Sequence, residues 1–174
     1  MDYQRISLPA TPVVFTGDYA VPEQGIHQLF RWRRGYHEWH LTVYDPLSQH
    51  AGFLLKRPLV IPFQRGPLSL YFELRPPEAA EFLAIGLRDD MAAEPEEIDA
   101  LAIAPYRVQP RDAEIGGHFV IPLDHLERLG TLNWRNICGA QVTLLGEYTL
   151  PTPNIVIRLL QIAPTQTLEQ RFRD

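Results

Sequence analysis

Short runs in which apolar and polar residues alternate recur along most of the chain, with turn-forming residues between them. One such run spans residues 68–75, where alternate positions hold Leu68, Leu70, Phe72 and Leu74. Successive side chains of a strand point to opposite faces, so this run predicts a strand with one buried and one exposed face. Comparable runs predict further strands at residues 55–62, 82–87, 102–108, 118–121, 140–145 and 155–162.

The strongest local pattern predicts a β-hairpin over residues 27–44, with its turn at residues 34 and 35. Phe30 then faces Trp39 on one side of the ribbon, and Arg31 faces Glu38 on the other. An aromatic pair towards the core and an ion pair towards solvent fit a single register, because a shift by one residue would bury the charges.

About nine strands with almost no helix predict an all-β protein, built as a two-sheet antiparallel β-sandwich of jelly-roll type. A closed barrel is the alternative. The sequence predicts one or two short helical turns at most, at residues 124–129 between Pro122 and Gly130. We divide the chain into one sandwich domain, residues 1–165, and a polar C-terminal tail, residues 166–174. We expect the tail to fray or to form one final turn.

The composition is that of a globular domain and excludes several classes of protein. The chain has 174 residues, of which 45% are hydrophobic and 21% are charged, so it can bury a core without metal or disulfide. Its formal net charge of -5 argues against a nucleic-acid partner, whose binding depends on neutralised phosphates.

Targeting and membrane signals are absent from the sequence. No apolar run approaches the roughly 20 residues of a membrane span. The first residues lack the basic start and apolar stretch of a secretory signal. We therefore expect a cytoplasmic protein if the chain is complete, and an extracytoplasmic one if it was excised from a longer protein.

No compact catalytic motif stands in the sequence. His37 and His40 are three positions apart, whereas metalloproteases need histidines four apart on a helix, so we predict no metal site there. The single cysteine, Cys138, lies in an apolar strand, where a buried role is expected. Several glutamates could supply a glycosidase pair, but the sequence does not single one out. We therefore lean towards a protein without enzymatic activity.

The C-terminal third contains four segments in a distinctive order. A Phe-Val-Ile-Pro-Leu stretch at 119–123 leads to Leu-Asn-Trp-Arg-Asn-Ile at 132–137, and strands at 139–146 and 155–159 follow. This order resembles the closing strands of galactose-binding-like jelly-roll domains, the fold of many carbohydrate-binding modules. The resemblance implies a sandwich that binds sugar, with Trp134 closing the end of the sandwich.

Many domains of this kind hold a structural calcium ion through an acidic residue of the last strand. Arg158 stands at the nearest position of this chain, and an arginine would repel the ion. The acidic segment 89–99 carries six carboxylates but lacks the ligand spacing of known calcium loops. We predict no cofactor, and a structural calcium ion stays an alternative that Arg158 disfavours.

A sugar-binding surface needs aromatic rings that stack on the sugar and planar polar groups that bind its hydroxyls. If the hairpin and the strand at 68–75 share a sheet, their outward positions supply both. The predicted ligand-binding residues are Arg31, Tyr36, Glu38, His40, Tyr71, Glu73 and Arg75. The alternative is an ordinary solvated sheet face crossed by ion pairs.

These observations predict a non-catalytic carbohydrate-binding module whose partner is a glycan or polysaccharide. The first alternative is a structural or protein-interaction sandwich that binds no sugar and contacts a protein partner. The second is a glycan-active hydrolase or lyase that uses carboxylates, or tyrosine and histidine, as acid and base.

Overall fold

The computed structural model describes residues 4–5, 13–15, 26–33, 36–45, 50–61, 66–90, 97–108, 117–127 and 132–173. The described residues form two α-helices, α1 (Leu123–Glu127) and α2 (Thr165–Arg173). They also form 3-10 helices at Pro77–Glu81 and Ala104–Tyr106. In chain order, the strands are β1 (Gln4–Arg5), β2 (Val13–Phe15), β3 (Ile26–Arg33), β4 (Tyr36–Val43), β5 (His50–Leu59), β6 (Leu68–Arg75), β7 (Leu83–Arg88), β8 (Leu101–Ala102), β9 (Arg107–Val108), β10 (Gly117–Pro122), β11 (Ile137–Leu144) and β12 (Ile155–Pro164).

These strands form two antiparallel sheets. The seven-stranded sheet has the order β3-β4-β12-β6-β10-β9, and β1 pairs with the second half of β12. The five-stranded sheet has the order β2-β5-β11-β7-β8. The prediction of an all-β, two-sheet antiparallel β-sandwich with little helix is confirmed.

The hairpin of β3 and β4 has the predicted register. Phe30 lies opposite Trp39, and Arg31 lies opposite Glu38. Trp39 is fully buried, and its ring stacks on that of Phe30 with centroids 5.8 Å apart. The predicted turn at residues 34 and 35 lies outside the described residues.

The core between the sheets is built largely from aromatic and aliphatic side chains of both layers. Trp39 of one sheet meets Phe53 of the other edge-to-face at 5.3 Å. Phe72 and Phe119, on neighbouring strands of the seven-stranded sheet, stack at 5.4 Å. Cys138 is fully buried as expected, and burial raises the pKa of its thiol, so the thiol stays protonated.

Two predicted strands differ from the observed ones. Residues 102–108 do not form a single strand: β8 belongs to the five-stranded sheet and β9 to the seven-stranded one, with a 3-10 helix between them. Pro105 lies in that helix and has no N–H for a strand ladder. The strand expected at 55–62 begins earlier, at His50, and Pro58 lies close to its end.

The C-terminal segment, which we expected to fray or to form one final turn, forms the helix α2. Leu168 of this helix is fully buried against Tyr71 and Ala163 on the outer face of the seven-stranded sheet. The short helix predicted at 124–129 is present as α1. Neither helix of the described chain has the length and apolar character that a membrane crossing requires.

Candidate functional site

The outer face of the seven-stranded sheet carries most of the predicted ligand-binding residues. In β6, Leu70, Phe72 and Leu74 are fully buried in the core, so Tyr71, Glu73 and Arg75 point to the outer face. Glu38 and His40 of β4 occupy the same face. The hairpin and β6 share a sheet, as the site required, but β12 lies between them.

A line of charged or ionisable side chains crosses this face over five neighbouring strands. Strand pairing places Arg31, Glu38, Arg158, Glu73 and His118 side by side, one from each of β3, β4, β12, β6 and β10. These five residues are named here the charged row. Arg31 is exposed, whereas the side chains of the other four are only 12–18% exposed.

The centre of the charged row is an arginine held between two carboxylates. The Nε of Arg158 lies 3.6 Å from Oε2 of Glu38 and 3.6 Å from Oε2 of Glu73. Such mutual contacts fix planar groups at a spacing set by the sheet rather than by the flexibility of each side chain.

Tyr71, His118 and Glu73 form a small hydrogen-bonded group at one end of the charged row. The Oη of Tyr71 lies 2.8 Å from Nδ1 of His118 and 3.4 Å from Oε1 of Glu73. The hydroxyl has one proton to donate, so both contacts are satisfied when His118 donates to Tyr71 and Tyr71 donates to Glu73. In that tautomer Nε2 of His118 is an acceptor.

Burial, the largest cause, lowers the pKa of His118 below its ordinary value of 6.5. The charges of Arg75 and Arg158 lower the pKa further, and the carboxylate of Glu73 opposes them. His118 is therefore neutral at pH 7 and can act as a hydrogen-bond donor and acceptor at once.

Beside the charged row, Val156 lies opposite both His40 and Arg75. The amide of Asn154 donates to Nδ1 of His40 over 3.1 Å, which directs the Nε2 proton of His40 towards Oε1 of Glu38 at 3.5 Å. The Nε of Arg75 is buried and makes no hydrogen bond within the part of the chain that the structure describes.

Helix α2 divides the outer face into two halves. It covers the part around Ser69 and Tyr71, where Ser69 Oγ lies 2.7 Å from Oγ1 of Thr165 and Leu168 contacts Tyr71. Tyr71 lies on the expected face but is only 5% exposed, so its ring offers little surface for stacking. The remainder, named here the open half, consists of the charged row with His40 and Arg75.

Six of the seven predicted residues thus lie on one face: Arg31, Glu38, His40, Tyr71, Glu73 and Arg75. The backbone of Tyr36 begins β4, but its side chain lies outside the described part of the structure. Arg158, His118 and Asn154 were not among the predicted ligand-binding residues, although each contacts one of them. Alternation within β10 and β12 already places His118 and Arg158 on the face opposite to the buried residues of each strand. Which strands lie beside β10 and β12 was not predictable from alternation.

The structure also bears on metal binding. Among the residues whose side chains are described, no group of three or more His, Cys, Asp or Glu side chains is arranged to hold a metal ion. The middle of the acidic segment, residues 91–96, lies outside the described residues.

Two solved structures share this fold. One is the family 30 carbohydrate-binding module of the cellulosomal cellulase Cel9D-Cel44B of Clostridium thermocellum, with a TM-score of 0.59 and 16% identity over 95% of this chain and 99% of that one. A second family 30 carbohydrate-binding module matches with a TM-score of 0.52 and 17% identity, over 92% of this chain and 77% of that one.

Comparison of sequences alone gives no relative: no family model and no curated protein matches the chain. At 16–17% identity the structural likeness establishes the fold. The chain has the β-sandwich architecture of a carbohydrate-binding module, which is the fold that the sequence resemblance implied.

Proposed function

We propose that this chain is a non-catalytic carbohydrate-binding module that binds a polysaccharide on the open half of the seven-stranded sheet. The observation that carries the proposal is the charged row, in which five planar side chains from five neighbouring strands lie on one face. The family 30 carbohydrate-binding modules of the same fold support it.

The charged row supplies the polar part of a sugar-binding surface, the part that binds hydroxyl groups. Carboxylates accept hydrogen bonds, guanidinium groups donate them, and a neutral imidazole does both, so either role of a sugar hydroxyl finds a partner. Because Glu38, Arg158 and Glu73 already hold one another, binding would order few additional rotamers.

Affinity electrophoresis and calorimetry with a panel of polysaccharides test the proposal. Retardation by at least one polysaccharide is expected. Glu38→Gln, which keeps the shape of the side chain and removes its charge, should weaken binding roughly tenfold, the usual effect of losing a charge-assisted hydrogen bond. Glu147→Gln is the matched control, because Glu147 is exposed and lies in the connection between β11 and β12.

Two results would contradict the proposed function. A protein that is retarded by no polysaccharide would exclude it and favour the structural or protein-interaction alternative. Equal weakening by Glu38→Gln and Glu147→Gln would place the binding surface elsewhere.

The cellulosomal origin of one similar structure favours the extracytoplasmic location of the two that we expected.

A catalytic alternative is supported by one observation, the contact of Tyr71 with His118. Histidine and tyrosine are both side chains that serve as general acids or bases. Release of reducing ends or of unsaturated sugars from the same polysaccharides, lost in His118→Gln, would favour an enzyme over a binding module.

A further inference from the structure

The charge of the open half is opposite to the charge of the whole chain. The chain has a formal net charge of -5. The open half, in contrast, brings together three arginines, Arg31, Arg75 and Arg158, against two glutamates. An excess of positive charge on one face of an acidic protein indicates that this face attracts anions.

The described residues of the acidic segment, 89–90 and 97–99, adjoin the five-stranded sheet. Residues 89–90 follow β7 of that sheet, and the carbonyl of Asp99 lies directly against Gly86 on its outer face. The described carboxylates of this segment therefore belong to the sheet opposite the open half.

The three arginines differ in how they are compensated. Arg158 lies between two carboxylates. Arg31 and Arg75 form no ion pair within the described chain, although Arg31 faces Glu38 across the hairpin. The carboxylate of Glu38 is directed instead towards Arg158 and His40.

Arg75 is the stronger candidate of these two for an anion. Arg75 is partly buried, and its Nε makes no hydrogen bond in the described structure, so its charge is less compensated than that of the exposed Arg31, which water solvates. Arg75 lies diagonally across the β6–β12 pair from Arg158, at a Cβ separation of roughly 7 Å. Its positive charge also favours the lowered pKa of His118, after the larger effect of burial.

We infer that the ligand of the open half is an acidic polysaccharide whose uronate carboxylates bind Arg75 and Arg31. This inference rests on the proposed function and names its substrate class. The guanidinium group is planar and binds a carboxylate through two parallel hydrogen bonds, which a neutral sugar cannot reproduce. Glu38, Glu73 and His40 lie on the same face, where the hydroxyls of the same chain would meet them.

The test compares three probes that differ in charge: polygalacturonate, its carboxyl-reduced polymer, and dextran sulfate. The full chain should bind polygalacturonate at least tenfold more tightly than the reduced polymer, since one charge-assisted contact accounts for that factor. Arg75→Gln should remove most of this preference, and Arg31→Gln part of it. Arg135→Gln is the matched control, because Arg135 is exposed in the turn before β11.

The outcomes separate the inference from the proposed function. Equal binding of polygalacturonate and the reduced polymer, unchanged by Arg75→Gln, would overturn the inference and leave the proposed function intact. Equal or tighter binding of dextran sulfate, weakened alike by Arg75→Gln and Arg135→Gln, would mean unspecific attraction of anions and would also overturn it. Binding of none of the three and of no polysaccharide in the wider panel would overturn both.

Discussion

Replacing Arg158 by methionine should destabilise the protein by about 2–3 kcal/mol, because this arginine separates two carboxylates. Its Nε is 3.6 Å from an oxygen of Glu38 and of Glu73, and the three side chains are 12–18% exposed. At ~4 Å and an effective dielectric constant of ~20, each attraction is worth about 4 kcal/mol before other costs. Desolvation and side-chain ordering cancel much of that gain. The expected value therefore lies between about 1 kcal/mol for an exposed pair and about 3–5 kcal/mol for a buried pair that has lost one partner.

A second substitution, Glu73→Gln, distinguishes this electrostatic account from simple loss of packing, because the sign of its effect on the free energy of unfolding should depend on Arg158. In the wild-type protein, Glu73→Gln removes one partner of Arg158 and should cost about 1 kcal/mol. In Arg158→Met, the same substitution removes the repulsion between Glu73 and Glu38 and should be neutral or stabilising. The two substitutions are therefore expected to couple by about 1–2 kcal/mol.

Urea denaturation of the wild type, the two single variants and the double variant gives this coupling, provided that the m-values agree. Arg135→Met is the control for loss of an exposed arginine and should change the free energy of unfolding by less than about 0.5 kcal/mol. Effects of Arg158→Met and Glu73→Gln that add within about 0.3–0.5 kcal/mol would refute the reasoning, since the charged row would then be a screened surface pattern.

Burial lowers the pKa of His118, so the unfolded chain binds this proton more tightly, and stability should fall as the pH drops below 6.5. His118→Gln should flatten that dependence in urea titrations at a series of pH values, and an unchanged slope would contradict it. Leu168→Ala should release α2 at a cost of about 2–4 kcal/mol, seen as faster amide exchange throughout that helix, whereas Gln170→Ala, at an exposed position, should leave the exchange unaltered. Gly86→Ala should destabilise the protein by about 1–3 kcal/mol, because its new Cβ would overlap the carbonyl oxygen of Asp99. Thermal denaturation measures this loss, and an unchanged midpoint would mean that the backbone at Asp99 moves away without cost.

The register of the β3–β4 hairpin could be predicted because both strands are adjacent in sequence. Alternation of Phe30 and Arg31 against Trp39 and Glu38 fixes which faces meet, and no distant segment is needed. The same alternation correctly assigned Glu73 and Arg75 to the outer face of β6. Local pattern therefore gave the direction of each side chain within its strand.

The neighbours of each strand could not be predicted in this way. Strand β12, close to the C-terminus, lies between β4 and β6 and brings Arg158 between Glu38 and Glu73. That adjacency is set by the packing of the whole sandwich, which alternation does not encode. The charged row is consequently a product of topology, although each of its residues is outward-facing by local pattern.

The burial of Tyr71 depended on another distant segment. Alternation places Tyr71 on the outer face, but α2 returns over that face and buries it beneath Leu168. The signal was present in the sequence as two apolar residues, Leu168 and Phe172, spaced four apart in a polar stretch. One turn of apolar spacing is too little to identify a docked helix without the surface that it covers.

An irregularity in β12 accounts for the coexistence of a polar row and a covered apolar patch on one face. The pairing with β6 shifts by one residue between Arg158 and Gln161, and Leu159 has a φ of 56°. Without the extra residue, Leu160 would point outward opposite Tyr71, and Gln161 would enter the core. The left-handed conformation of Leu159 costs about 1–2 kcal/mol, whereas burying Leu160 alone contributes about 1.5–3 kcal/mol. The shift thus keeps the core apolar on both sides of it, and it leaves Arg158 in the charged row while the strand beyond continues beneath α2.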